Sequence, residues 1–360
     1  MKIYRNIYTS MLAALQIGWG CLFMGCTDSN TNESPGEPLR VVGMTRSGDE
    51  TDVPDPMKGQ SIKLFLDDGN TIKPSDPATY QGRTASNTTS LLVKPGADYQ
   101  VFGFLPSNAN ALSDDTNGNS SVTVNRQENT ATLTIENLAP LSTNDVCVVI
   151  GVKGKLAPNE KVVAGSFKYH APENTEEGFG VSLLVDHLFA AMDFNFSVDK
   201  TYDDIRTIKL KKVVMKSTSA PKVKAEITLT MNNTGTNPIT DIDYKTLSGT
   251  TQEELILYDD EDGTELKVSP PLAFTGFYGA GIMLEDTAPL GSTLSIVSTY
   301  DIYDKKGKLI DENRIAENNL ATVLKSITRG QKVKLNMKVV PTYLYVLSDT
   351  DATFIIEDFE

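Results

Sequence analysis

Short apolar runs separated by turn-forming residues dominate the first half of the chain. Val122 and Val124 alternate with polar residues, as do Leu133 and Ile135, and a period of two is typical of strands with one buried face. This half therefore predicts an antiparallel β-sandwich, whose strands lie in the segments SIKLFLDDG, SLLVKPG, YQVFGFLP, SVTVN, TATLTIENL, VCVVIGVKG and KVVAGSFKYH.

The strand pattern is interrupted once, by the Glu- and Gly-containing segment APENTEEGFG at residues 171–180, and then resumes. Within the second half, YDIYDKKGKLI predicts a hairpin that turns at residues 304–307, because Asp, Lys and Gly separate two alternating runs. Only IAENNLATVLKSI, residues 315–327, predicts a helix, and a brief one. A second β-sandwich follows, with strands in VSLLVDHLFAAMDFNFSV, IRTIKLKKVVM, KVKAEITLTMN, GIMLED, STLSIVSTYDIYDKKGKLI and QKVKLNMKVVPTYLYVL.

The N-terminus has the pattern of an export signal. Lys2 and Arg5 precede an apolar stretch at residues 11–24 that is short for a membrane span, which indicates a secretory signal. The segment LFMGCTDSN resembles a bacterial lipobox, in which residues 1–25 are removed and the thiol of Cys26 is acylated. The residues before the small one depart from the commonest lipobox, so cleavage by an ordinary signal peptidase is the alternative.

Composition narrows the class of protein further. A length of 360 residues leaves room for about two domains after the signal, and the net charge of -14 argues against nucleic acid as a partner. Of three cysteines, two lie in the signal region, so Cys147 has no partner for an internal disulfide in the exported chain. Core packing is expected to stabilise the fold.

No catalytic chemistry is indicated by the motifs. The chain has no nucleophile elbow, phosphate loop or dinucleotide fingerprint, and His170 and His187 lack metal-ligand spacing with any cysteine. Asp186 and His187 are neighbours on a strand and should point to opposite faces. The expectation is a protein that is not an enzyme, with no catalytic residue, no metal and no cofactor.

One short motif suggests a modification. The sequence Asp-Thr-Ala around Thr287 resembles the Asp-Ser/Thr-aliphatic sequon for O-glycosylation in some Gram-negative anaerobes. A turn before Pro289 explains the same residues equally well. Thr287 is a candidate glycosylation site on this basis alone.

The order of the parts resembles the fimbrillin family, the subunits of type V pili, over most of the length. The motifs that carry the resemblance are VDHLFAAMDFNFSV, STYDIYDKKGKLI and VVPTYLYVLSDTD, together with the lipobox and the polar segment TDSNTNESPGE. The resemblance implies two transthyretin-like β-sandwiches in tandem and a filament on the outer membrane as the product.

The two ends of the chain fit this resemblance. Residues 37–46 have the apolar pattern of a strand, with Leu39 and Val41, and they end at Arg46 before the polar segment that begins with Ser47. An arginine before an exposed polar segment is an accessible protease site. The resemblance implies cleavage after Arg46, which removes the lipid and the first strand together and uncovers an apolar groove.

The C-terminal segment TFIIEDF, residues 353–359, is the candidate for filling that groove in a neighbouring subunit. Phe354 and Ile356 lie on one face of an extended chain, and an extended segment can complete a neighbour's sheet. The alternative is an ordinary last strand of its own domain.

The expected organisation is a signal peptide at residues 1–25, a tether with a removable strand at 26–46, two sandwiches at 47–178 and 179–350, and a donor strand at 351–360. The expected function is a stalk or tip subunit that starts as an outer membrane lipoprotein and ends in a cell-surface fimbrium of a Gram-negative bacterium. Its partners would be copies of itself or other fimbrial subunits, and a host or bacterial surface ligand. The alternative is a lipid-anchored surface protein that binds a glycan or host ligand through its loops.

Overall fold

The computed structural model describes most of the chain after the N-terminal segment. The described residues are 36–46, 58–82, 87–107, 122–127, 130–157, 160–174, 176, 178–217, 223–230, 239–246, 254–284, 288–340, 343–346 and 356–358.

Strands account for most of these residues. In chain order, the strands of the first half are β1 (Glu37–Arg46), β2 (Ser61–Asp67), β3 (Ile72–Pro74), β4 (Ala78–Thr79), β5 (Asn87–Val93), β6 (Asp98–Leu105), β7 (Val122–Gln127), β8 (Thr130–Leu138), β9 (Cys147–Lys153), β10 (Lys168–His170) and β11 (Gly180–His187).

The second half continues in the same way, with two short α-helices and a short 3-10 helix (Leu290–Thr293) between strands. Its elements are β12 (Ala191–Val198), α1 (Lys200–Asp203), β13 (Arg206–Ser217), β14 (Val223–Thr230), β15 (Ile239–Thr246), β16 (Leu255–Glu265), β17 (Leu272–Tyr278), β18 (Leu294–Asp304), β19 (Leu309–Asn319), α2 (Ala321–Leu324), β20 (Gln331–Val340), β21 (Tyr343–Val346) and β22 (Ile356–Asp358).

The predicted all-β fold is confirmed, and so is the hairpin formed by β18 and β19. Other local predictions were wrong in extent. The predicted helix at 315–327 shrinks to α2, because residues up to Asn319 belong to β19 and pair with β18. In the described part of the predicted strand at 281–286, residues 281–284, the structure shows only isolated bridges at Met283 and Leu284. None of the described helices is long and apolar enough to cross a membrane.

The described strands form four sheets. The first contains nine strands in the order β3-β2-β6-β9-β11-β1-β5, with β10 beside β6 and β4 beside β2. The others have the orders β17-β12-β20-β21 with β22 beside β20, β16-β13-β18-β19, and β15-β14-β8-β7. Most neighbours are antiparallel, as predicted, but β1 runs parallel to β11, and β12 runs parallel to β20. Each parallel pair is joined by a long stretch of chain, as parallel strands require.

The nine-stranded sheet separates two apolar cores. Along β9, Cys147 and Val149 face one core, whereas Val148 and Ile150 face the other. Both faces of this strand are therefore buried, which explains why its sequence is an uninterrupted apolar run. The core on the first face also receives side chains from β1, β2, β5, β6 and β11.

The boundary expected between residues 178 and 179 stays a prediction, and hydrogen-bonded sheets cross it twice. Strand β11 follows the boundary but pairs with β9 and β1 of the first half. Strand β8 precedes it but pairs with β14 of the second half. The two halves of the sequence are thus joined by continuous sheets as well as by side-chain packing.

Candidate strand-exchange groove

Strand β1 is an inner strand of the nine-stranded sheet. It lies between β5, to which it is antiparallel, and β11, to which it is parallel. Leu39, Val41 and Met44 are each 0% exposed. Burial of each side chain contributes about 1.5–3 kcal/mol, so β1 is an integral part of this core.

An irregularity in β1 determines which side chains face inward. The register with β11 skips Val42, so the inward positions change from Leu39 and Val41 to Met44. The side chain of Val42 lies over Gly180, where a Cβ atom would come within 2.7 Å of Val42 Cγ1. Glycine at position 180 thus provides the space that Val42 needs.

Two buried polar side chains of β5 hold the main chain of β1. The Asn87 side-chain amide donates to the carbonyl oxygen of Val41 at 2.7 Å, and the Thr89 hydroxyl donates to that of Leu39 at 2.9 Å. The register between β1 and β5 skips Leu39, so the bond from Thr89 is made where the backbone ladder is interrupted. Sequence analysis did not identify these residues, because residues 87–90 are polar throughout and the alternation of buried and exposed positions is seen only in the structure.

The predicted processing site lies at the end of β1. Arg46 is the last residue of the strand and pairs with Val185 of β11, while Ser47 lies outside the described residues. Cys26 and Thr287 also lie outside them, and their predicted modifications stay predictions.

The described part of the C-terminal segment is paired within its own chain. Strand β22 runs antiparallel to the first residues of β20, where Ile356 is opposite Val333. Strand β21 pairs with the same edge of β20, but at its last residues, where Val340 is opposite Tyr343. Phe354 lies outside the described residues. In this state, Ile356 belongs to a three-residue strand and is not brought near β1 by any shared sheet.

Burial also affects the ionisation of a residue in the core that β1 completes. Tyr169 is 1% exposed and belongs to the same apolar cluster as Leu39 and Met44. Burial, reinforced by the neighbouring Tyr99, raises the pKa of Tyr169 to about 12. This core therefore favours the neutral phenol.

A buried polar trio lies where the chain leaves the nine-stranded sheet. His187 Nδ1 is 2.8 Å from an Asp145 carboxylate oxygen and 3.4 Å from Cys147 Sγ. Asp186 is not part of this trio, because its carboxylate accepts from the His187 backbone amide at 2.9 Å and binds Arg329 at 2.7 Å.

No histidine has metal-ligand spacing with a cysteine along the sequence, but the fold brings Cys147 and His187 together. Residues 40 positions apart meet because β9 and β11 are neighbours, which spacing along the sequence did not reveal. Their three donor atoms lie within 4.8 Å of one another and are of kinds that zinc accepts, although a structural zinc site normally has four ligands. Through these contacts, His187 at the end of β11 is connected to Cys147, the first residue of β9, and to Asp145 just before it.

The fold has similar counterparts among solved structures. A fimbrial protein from Bacteroides vulgatus has 13% sequence identity and a TM-score of 0.44, with 89% of this chain and 100% of that chain covered. A candidate cell adhesion protein from Bacteroides uniformis has 12% identity and a TM-score of 0.42, with 91% and 99% covered. The tip fimbrial protein Mfa3 from Porphyromonas gingivalis has 11% identity and a TM-score of 0.30, with 89% and 98% covered.

These structural neighbours are fimbrial and adhesion proteins. No protein-family model matches the chain, and no curated protein matches it. All three TM-scores lie below 0.5, which is too low for these likenesses to indicate a function.

Proposed function

We propose that the protein is a structural subunit of a type V pilus, assembled by strand exchange. The chain is exported as a lipoprotein acylated at Cys26 and is cut between Arg46 and Ser47. Strand β1 then leaves with the lipid. The observation that carries the proposal is the place of β1, the first described strand, which fills an inner position of a sheet and ends at the predicted cleavage site.

Loss of β1 creates the need for a replacement strand. Its departure would unpair the edges of β5 and β11 that face it. The apolar side chains that Leu39, Val41 and Met44 of β1 now cover would be exposed to water. Unpaired edges and buried apolar positions together bind an extended segment of another chain. A vacated groove is therefore a receptor for a strand.

The C-terminal segment of a neighbouring subunit is the proposed replacement. In the single chain, the described part of β22 is three residues long and pairs with β20, a short contact that an incoming interaction can displace. The donor then places Phe354 and Ile356 in the vacated core. Because groove and donor are different surfaces of one chain, the contact repeats without closing and gives a fibre of identical or related subunits.

Replacement of Arg46 tests this proposal. Arg46→Ala should leave a folded, lipidated protein that keeps β1 and forms no filaments, whereas surface filaments of the natural chain should begin at Ser47. Arg40→Ala is the matched control, because Arg40 is an exposed arginine of the same strand. N-terminal sequencing of the surface protein and electron microscopy provide the measurements.

Two results would contradict the proposal. The first is a surface protein of the natural chain that keeps Cys26 as its N-terminus, and the second is normal filament formation by Arg46→Ala. Retention of Cys26 together with glycan binding would favour the lipid-anchored binding protein instead.

A further inference from the structure

We propose that Asn87 and Thr89 bind the main chain of whichever strand fills the β1 position, so that the groove accepts strands of different sequence. This inference rests on the proposed strand exchange and identifies the groove residues that would make it tolerant. Both side chains donate to carbonyl oxygens of β1, at 2.7 Å and 2.9 Å. Every extended peptide presents such carbonyl groups, whatever its side chains.

Asn87 is held in place without β1. Its side-chain oxygen accepts from the Gln81 backbone amide at 2.7 Å, and its side-chain nitrogen also donates to the Gly82 carbonyl at 3.0 Å. Both partners precede β5 in the chain and would remain when β1 leaves. The amide would therefore stay aimed at the vacated position, which lowers the conformational penalty of binding the next strand.

Thr89 has a similar local anchor. Its hydroxyl oxygen accepts from the Leu91 backbone amide at 3.2 Å, a bond within β5 itself. The hydroxyl proton is thereby left to donate to the strand in the groove. With β1 in place, both residues are only 5% exposed, so a replacement strand that filled the groove without accepting these bonds would leave a buried polar group with little access to water. A vacated groove therefore favours a strand that supplies two carbonyl groups at these positions.

Peptide exchange into the full chain, cut after Arg46 by an arginine-specific protease, tests the inference. A labelled peptide with the sequence of residues 37–46 should replace the cut strand, and its affinity is measured by fluorescence anisotropy. Thr89→Val and Asn87→Ala should each weaken binding about tenfold, as expected for loss of a buried hydrogen bond. Thr88→Val is the matched control, because Thr88 lies on the exposed face of the same strand and should bind normally.

A change in the peptide provides a second measurement that needs no protein variant. Replacing the carbonyl of Leu39 by a thioamide weakens the acceptor and should reduce affinity for the natural groove, with little further loss in Thr89→Val. A peptide of residues 353–360 should lose affinity in Thr89→Val by a similar factor, although its side chains differ from those of β1.

The outcomes separate the two proposals. If neither peptide replaces the cut strand in the natural protein, strand exchange is wrong and this inference fails with it. If the peptides exchange but Thr89→Val, Asn87→Ala and Thr88→Val bind them equally well, main-chain binding by these residues is wrong while strand exchange stands. Full sensitivity to the thioamide in Thr89→Val would also overturn the inference.

Discussion

Gly180 offers a direct test of how tightly β1 is fitted into its sheet. In Gly180→Ala, the new methyl group would lie 2.7 Å from Val42 Cγ1 and 3.1 Å from Val42 Cγ2. Carbon atoms in contact prefer about 3.5–4.0 Å, so the two side chains would overlap unless β1 moves. Both close atoms belong to a β-branched side chain with restricted rotation.

The expected effect is a net loss of stability of about 1–2 kcal/mol. Overpacking in a well-filled site destabilises by about 1–3 kcal/mol, and alanine returns about 0.4–1 kcal/mol by restricting the unfolded chain. Val42→Ala should remove the clash, because the next atom, Val42 Cβ, lies at an ordinary contact distance of 3.5 Å. The double variant should therefore lose less than the sum of the two single variants.

Urea denaturation of the uncleaved protein measures these differences, with the double-mutant cycle giving the coupling between the two positions. Gly154→Ala is a suitable control, because its Cβ would be 3.8 Å from the nearest atom, in Tyr169. Equal stabilities of Gly180→Ala and the natural protein, or additive losses in the double variant, would refute the packing described for Val42. After removal of β1, Gly180→Ala should have no such penalty.

Three further predictions concern the two ends and the core. Cys26→Ala should abolish palmitate labelling, and continued labelling would exclude lipidation at this residue. Deletion of residues 353–360, or Ile356→Asp, should prevent assembly with little change in the melting temperature of the monomer. Unfolding of the truncated monomer would instead make the segment a structural strand. Because the folded-state pKa of Tyr169 is raised from 10.0 to about 12, its contribution to stability should be complete below pH 10 and disappear as pH rises to about 12, as followed by tyrosinate absorbance and denaturation.

Many strands could be predicted from local pattern, because the alternation that indicates a strand and the turn residues that end it lie within a few residues of each other. Strand β1 covers residues 37–46 as predicted, and the turn between β18 and β19 follows from the Asp, Lys and Gly residues that separate them. The segment at 161–170 contained fewer strand residues than predicted, since only β10 pairs there. Apolar content alone therefore overestimated the number of paired strand residues in this segment.

Pairing between distant strands could not be read in the same way. The parallel pairing of β1 with β11 and the contact of β8 with β14 depend on the course of the whole chain, and no short motif encodes them. For the same reason, the sequence did not predict the contact between Cys147 and His187 or the hydrogen bond from Asn87 to the carbonyl of Val41. The sequence suggested which strand would be removable but not which side chains hold it.

Strand β1 is parallel to one neighbour and antiparallel to the other, and this arrangement affects the polarity of the proposed fibre. A strand placed between β5 and β11 makes one parallel and one antiparallel pairing, and reversing its direction exchanges the two without changing their number. The backbone pairing with β5 and β11 therefore does not strongly favour one direction of the inserted strand over the other. The choice depends on features that reversal displaces, namely the two carbonyl positions and the pocket beside Gly180. If these select one orientation at every joint, the filament has chemically distinct ends and a defined sense of growth.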